Sequence, residues 1–242
     1  MDYNERQIFS HVCAAQKVSS IIDSAFSLAA VLGDEKTIAS YIKKQFSLHD
    51  LISDNQKCIV AFNENTALPH YEGDNNKHLE ENTLILIDCW AKLREKNSVY
   101  ADITKLGFYG KKIPSEIQKV FSVVRDARDS TITLMKKAVK KDSVVKASQV
   151  DETARNLVTK KGYQKNFIHS TGHSLGVRHV HGSIKLGKKV DKRIVHNMAY
   201  AIEPGIYIKG KFGMRSEIDV LLKGNSLVRT TPLQKEILLL NY

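Results

Sequence analysis

An α+β domain, with an antiparallel sheet carrying helices on one face, is the fold class this chain predicts. Three observations carry the prediction. Apolar residues recur at three- and four-residue steps near the amino terminus and again beyond residue 115, which is the helical period. Short apolar runs of strand length lie between and after those stretches. The resulting order is helices, strands, helices, strands.

Each element has its own signal. Ile8, Val12, Ala15, Val18, Ile21, Ile22 and Phe26 mark a first helix, which Gly33 stops. "DEKTIASYIKKQF" opens a second helix with Asp34 as its N-cap. "KCIVAF" (57–62) reads as a strand and "NENTALPHYEGDNNK" as a turn-rich loop. "TLILIDCW" (83–90) is a nearly continuous apolar run, hence a buried strand. It passes through the charged hairpin "KLREKN" into "SVYADITKLGFYG". Pro114 breaks the chain before a long amphipathic helix, "SEIQKVFSVVRDARDSTITLMKKAVKK", capped by Ser115. "SQVDETARNLVTKKG" is a further helix, ended by Gly162. "HSTGHSLGVRHVHG" (169–182) holds four of the nine histidines, separated by glycine and serine rather than by helix formers, and reads as a loop. "AYAIEPGIYI", "MRSEIDVLL", "SLVRT" and "EILLLN" are strands.

Composition narrows the function classes. A chain of 242 residues, 42% hydrophobic and 26% charged, is ordinary for a globular protein and long enough to bury a substantial core. It shows no internal repeat, and a single domain over residues 1–242 is expected. No run approaches the roughly 18 apolar residues that span a bilayer. The first residues carry charges where a signal peptide needs an apolar core. Cys13, Cys58 and Cys89 are odd in number and widely spaced, without a CxxC pair, so a reducing, cytoplasmic setting is expected. The net charge of +11 and the lysine clusters "KKAVKKDS" (136–143) and "KLGKKVDKR" (185–193) raise nucleic acid as a partner. Lysine outnumbers arginine in both, aromatics are not interleaved and no nucleic-acid motif accompanies them. A solvated basic surface is therefore favoured.

The informative residues are acids inside strands that otherwise read as core. Asp88 ends "LILID" on the same face as Leu84 and Leu86. Asp102 sits in "VYADIT", Glu203 interrupts "AYAIEPGIYI" and Glu217 interrupts "MRSEIDVLL". An unpaired buried carboxylate costs several kcal/mol, so each must be neutralised, paired or bound to metal. Four of them beside a histidine-rich segment favour metal. Two divalent cations balance four carboxylates, and one neutral imidazole adds a ligand. Such a site would hold a bridging water as hydroxide, as two-metal hydrolases do. Mostly oxygen ligation favours manganese, with cobalt, iron or zinc able to substitute.

"ALPHY", "LILIDCWAKL", "YADIT", "HSTGHSLG" and "AIEPGIYIKGKFGMRSEIDV" occur in the order and at about the distances seen in the pita-bread metallopeptidases, and the chain resembles this family, M24, over roughly residues 5 to 240. The resemblance implies the creatinase/aminopeptidase fold, a curved antiparallel sheet with helices on its outer face. It implies Asp88, Asp102, His173, Glu203 and Glu217 as ligands of two divalent ions, with Asp102 and Glu217 bridging both. His169 and His181 match histidines that contact substrate and stabilise the tetrahedral intermediate, and His70 in "PHY" matches a third substrate contact. Glu203 matches the general base that takes a proton from water and delivers it to the leaving nitrogen. Arg215, two residues before Glu217, reads as an ion-pair partner on the same strand face, and His179 as a solvent-facing or packing residue. "PHY", "EPGIY" and "RSEID" are closest to aminopeptidase P and prolidase. The implied function is a metal-dependent exopeptidase that releases the first residue of Xaa-Pro dipeptides or peptides by attack of a metal-bridging hydroxide. The proline-specific members commonly carry a further amino-terminal domain, and the chain is expected to be the catalytic domain without it. A homodimer is compatible with the resemblance. The competing readings are a non-catalytic binding module for nucleic acid or protein, which the complete ligand set disfavours, and a methionine aminopeptidase, which "PHY" disfavours.

Overall fold

The computed structural model describes residues 2–141 and 143–240. The first helix, α1 (Glu5–Ser27), begins with a capping box. Asn4 Oδ1 accepts the Gln7 N–H at 2.9 Å, and Gln7 Oε1 accepts the Asn4 N–H at 3.0 Å. The helix ends at Ser27, earlier than Gly33, and a single turn, α2 (Ala29–Leu32), follows. Ser27 Oγ donates to the Asp23 carbonyl at 3.0 Å, a local bond that competes with the helical ladder at this end. Gly33, at φ 77°, ends α2 instead. Asp34 caps α3 (Glu35–Leu48) as expected, accepting the Thr37 N–H at 2.9 Å.

The strands are β1 (Leu51–Ile52), β2 (Ile59–Phe62), β3 (Thr83–Leu93) and β4 (Ala101–Tyr109). After α4 (Ser115–Lys140) and α5 (Ala147–Lys160) come β5 (Gly172–Leu175), β6 (His181–Leu186), β7 (Met198–Ile202) and β8 (Gly205–Ile208). They are followed by β9 (Phe212–Arg215), β10 (Ile218–Lys223), β11 (Ser226–Arg229) and β12 (Leu238–Leu240). Among the described residues they form two five-stranded sheets and a β8–β9 hairpin. The first sheet runs β1-β3-β4-β12, with β2 also on β3; the second runs β11-β10-β7-β5-β6. Every pair is antiparallel except β12 on β4, so the first sheet is mixed at that edge.

Four further details depart from the pattern reading. The histidine-rich stretch is not a loop: it supplies β5 and β6, which pair with a bulge between His173 and Leu175. That bulge breaks the period of two that would have revealed a strand. "AYAIEPGIYI" divides at Glu203–Pro204, where proline removes a ladder donor, and "MRSEIDVLL" divides at Ser216–Glu217. Ser115 lies inside the first turn of α4, because the Pro114 carbonyl already accepts the Gln118 N–H at 3.1 Å.

Alternation along β3 separates two environments. Ile85, Ile87 and Cys89 pack with α1 and α3. Leu84 and Leu86 face the other way, joining Leu106, Phe108, the first half of α4 and the hairpin. Asp88 follows on that same face, as its spacing predicts. The second sheet packs with the second half of α4 and the start of α5.

His11 ties α1 to both sheets from full burial. Its Nδ1–H donates to the Tyr100 carbonyl at 2.8 Å, and Nε2 accepts from the Thr230 hydroxyl at 2.8 Å. Burial pulls its pKa down from 6.5 to about 4. Between those values the unfolded chain takes up a proton and the fold does not, so this contribution is lost as pH falls through the window. The stability difference between wild type and His11→Asn should therefore shrink by about 3 kcal/mol from pH 7 to pH 4. Urea melts at the two pH values read it; an unchanged difference would show that His11 is not held neutral.

Candidate metal centre

The two sheets meet where the acids lie. In the β3–β4 ladder Asp88 is opposite Thr104 and Trp90 opposite Asp102, so the two aspartates share one face as diagonal neighbours. The Glu217 N–H donates to the Thr104 carbonyl at 3.3 Å, and the Asp102 N–H donates to Asp219 Oδ2 at 2.9 Å. These bonds bring the start of β10 alongside β4 and set Glu217 over Thr104. His173 comes from β5, opposite Ala201 of β7. Its neighbour Gly172 has no alternative, since a Cβ there would collide with the Ala201 carbonyl. Glu203 follows β7 and is anchored by its N–H to the Thr171 carbonyl at 2.8 Å.

Charge dominates this junction. Arg215 is fully buried; it pairs through its guanidinium with Asp88 and lies 3.8 Å from Glu217 and 3.9 Å from Glu203. The chain breaks at Ser216, so Arg215 and Glu217 sit on β9 and ahead of β10 rather than on one strand, yet both reach the same acids. Arg215 Nε also donates to Thr104 Oγ1 at 2.9 Å. That hydroxyl, in turn, is 2.9 Å from Asp88 Oδ1 and 2.6 Å from Glu217 Oε2. It has a single proton and can satisfy only one of them. Glu217 Oε1 is buried with no hydrogen-bond partner among the described residues. Burial pushes the carboxyl of Asp88 up, and those of Asp102 and Glu217 well up, with neighbouring carboxylates adding to each. Glu203 goes the other way. Burial raises it, but the imidazoles of His173 and His169 and the Arg215 guanidinium outweigh that and hold it below the usual range.

One guanidinium against four carboxyls leaves a site built for cations. Ligand atoms of Asp102, His173 and Glu217 lie within 4.8 Å of one another. His173 Nε2 is 3.5 Å from Asp102 and 3.6 Å from Glu203, while its Nδ1 bonds to the Ser174 carbonyl at 3.0 Å, leaving Nε2 as the inward nitrogen. An orphaned carboxylate oxygen, an oriented imidazole and mostly oxygen donors fit divalent metal.

All eight residues singled out from the sequence line one cavity of about 430 Å³: His70, Asp88, Asp102, His169, His173, His181, Glu203 and Glu217. His70 and His181 are exposed at its rim, and the His181 ring meets His173 edge-on at 4.2 Å between centroids. His169 is more enclosed, against Phe167 and Tyr207. Its Nδ1 bonds to the Ser170 carbonyl at 2.7 Å and its Nε2 to the Tyr207 hydroxyl at 2.9 Å, while burial lowers its pKa. A neutral ring that donates to a carbonyl through Nδ1 must accept at Nε2, from Tyr207. His179 lies outside the cavity, exposed and 3.7 Å from Asp54. Sequence reasoning missed Thr104, Tyr207 and Asp219.

A family model described as metallopeptidase family M24 matches residues 11–224. The chain is 28% identical over 205 residues to an Xaa-Pro dipeptidase of Pyrococcus furiosus, covering 84% of this chain and 55% of that protein. It is 32% identical over 186 residues to an Xaa-Pro dipeptidase of Lactobacillus helveticus, covering 76% of this chain and 47% of that one. The crystal structure of an X-Pro aminopeptidase from Thermotoga maritima superposes with a TM-score of 0.86 at 29% identity, over 99% of this chain and 65% of the other. The chain thus spans about half the length of the curated relatives it matches. With its mixed α+β architecture and the family match over most of its length, the chain belongs to metallopeptidase family M24.

Proposed function

We propose that this chain is a metal-dependent exopeptidase that removes the first residue from peptides with proline at position two, acting as a single pita-bread catalytic domain. The observation that carries the reading is the convergence of Asp88, Asp102, His173, Glu203 and Glu217 on one cavity, with a buried Glu217 oxygen that has no partner among the described residues. The similar proteins named Xaa-Pro dipeptidase and X-Pro aminopeptidase support the substrate class. These five residues would hold two divalent ions, manganese by the oxygen-rich donor set, with cobalt, iron or zinc as substitutes. When bound, the ions supply Lewis acidity and make water acidic enough to be deprotonated near neutral pH.

The remaining chemistry belongs to the side chains. Glu203 is held below the usual carboxylate range, with the Arg215 guanidinium among the causes, which suits a general base. The proline nitrogen, like any amine leaving group, departs only when protonated, and Glu203 is placed to return the proton it takes. His181 and His70 stand at the rim, where a peptide carbonyl enters, and suit donation to the oxygen that becomes negative. His169 is committed to Ser170 and Tyr207, so it contacts substrate as an oriented neutral ring. The three free cysteines and the lack of any described helix long and apolar enough to cross a membrane agree with a cytoplasmic location.

The test is hydrolysis of Ala-Pro, Ala-Pro-Gly and Met-Ala-Gly by purified protein, with manganese and with chelator. Release of alanine from the proline substrates only, abolished by chelator, is the expected result. Cleavage of Met-Ala-Gly in preference would move the chain to the methionine branch. No cleavage with metal bound would sink the reading.

A further inference from the structure

Beyond His70 and Trp90 the metal cavity adjoins a second one of about 670 Å³, and the two share Ile59, His70 and Trp90 as common wall. The second chamber lies between α3 and β2, and its charges do not cancel. Glu35 is consumed by its own network: it accepts the Phe62 N–H at 2.6 Å, the Tyr71 hydroxyl at 2.8 Å and the Lys77 N–H at 2.9 Å. Glu72 pairs with Lys57 at 2.9 Å. Lys36 and Lys43, exposed on α3, line the same chamber, and among the described residues neither ammonium has a carboxylate at ion-pair distance. At the shared wall the Trp90 Nε1–H is buried and, among the described residues, has no acceptor. An indole donor without a partner is uncommon in a finished interior and suits a ligand that brings a carbonyl.

An extended peptide meets all three features. We propose that the second chamber is a substrate subsite for residues that follow the proline, with a carboxylate seated between Lys36 and Lys43 and, once the indole turns from the position that closes its N–H to solvent, a peptide carbonyl accepting from Trp90 Nε1. The substrate class is then an acidic peptide of four or more residues rather than a dipeptide. This rests on the proline-directed reading of the metal cavity, but the chamber can be tested apart from it.

The manganese-loaded protein and its Lys36→Glu/Lys43→Glu variant are compared on Ala-Pro-Gly-Glu-Glu, Ala-Pro-Gly-Gln-Gln and Glu-Pro-Gly-Gln-Gln. Wild type should show a KM about 3- to 10-fold lower for the first than for the second, the size expected of two exposed ion pairs, and the variant should lose that difference. Equal KM values, or a preference that survives the double substitution, overturn the proposal. So does a preference for the Glu-Pro peptide, which would place the carboxylate on the first residue. Trp90 is the chain's only tryptophan, so its fluorescence reports occupancy without turnover. If no proline peptide is cleaved, the catalytic reading fails and the chamber is decided by titration with Pro-Gly-Glu-Glu. A saturable emission change, tighter than with Pro-Gly-Gln-Gln and lost in the variant, upholds it; no such difference refutes it.

Discussion

Glu203→Gln is expected to lower kcat on Ala-Pro-Gly by about 10²- to 10⁴-fold, the usual value of a positioned proton-transfer group. The substitution keeps shape and an oxygen ligand while removing the group that carries the proton. Among the four acids of the site, Glu203 alone is held below the usual carboxylate range; Asp88, Asp102 and Glu217 are all raised by burial. Substrate binding, followed by Trp90 emission, should survive within a few-fold, and metal content should be checked in the same sample because Glu203 also faces His173 at 3.6 Å. Activity within tenfold of wild type, with metal retained, would remove Glu203 from the role of base.

The largest stability effect should come from Arg215→Met. Arg215 and Asp88 are both buried, and deleting one member of such a pair leaves the other uncompensated, at about 3–5 kcal/mol. Arg215 also donates to Thr104, so its loss frees the hydroxyl that positions Glu217. Urea unfolding at pH 7 in chelator should show the full loss. With manganese at 1,000 times the wild-type dissociation constant the wild type gains about 4 kcal/mol. The variant should gain the more, because the cations now neutralise Asp88. A loss below about 1 kcal/mol in chelator would mean that Asp88 is already protonated in the metal-free fold.

The acids were legible because an ionised group in an apolar strand is costly, so its presence demands a partner. That reasoning found Asp88, Asp102, Glu203 and Glu217, and the period of two put Asp88 on the correct face. The same signal marks Asp219, which alternates with Glu217 along one apolar run. It turns out to hold the Asp102 N–H, with burial keeping its carboxyl well above the usual range. Thr104 and Tyr207 carried no such signal. A threonine and a tyrosine are ordinary strand residues, and their partners lie far away in sequence. The strands β5 and β6 were hidden by a bulge and by glycines that mimic a loop. "EILLLN" was legible as a strand, but its parallel pairing with β4 was not, because nothing in it says which edge it will join. Local pattern reports burial and period; it does not report which distant segment supplies the partner.

The bond between Thr104 and Glu217 joins residues 113 apart, and the pair of Arg215 with Asp88 spans 127. Asp88 and Asp102 are therefore made early during synthesis and wait, uncompensated, for Arg215 and Glu217 to be translated. At about 5–20 residues per second, that interval is on the order of ten seconds. A nascent chain stopped between β8 and β9 would hold Asp88, Asp102 and Glu203 without Arg215 or Glu217, so metal loading is a step for the finished polypeptide. Ribosome-bound chains ending before and after residue 217 would mark the length at which manganese first protects the fold from protease.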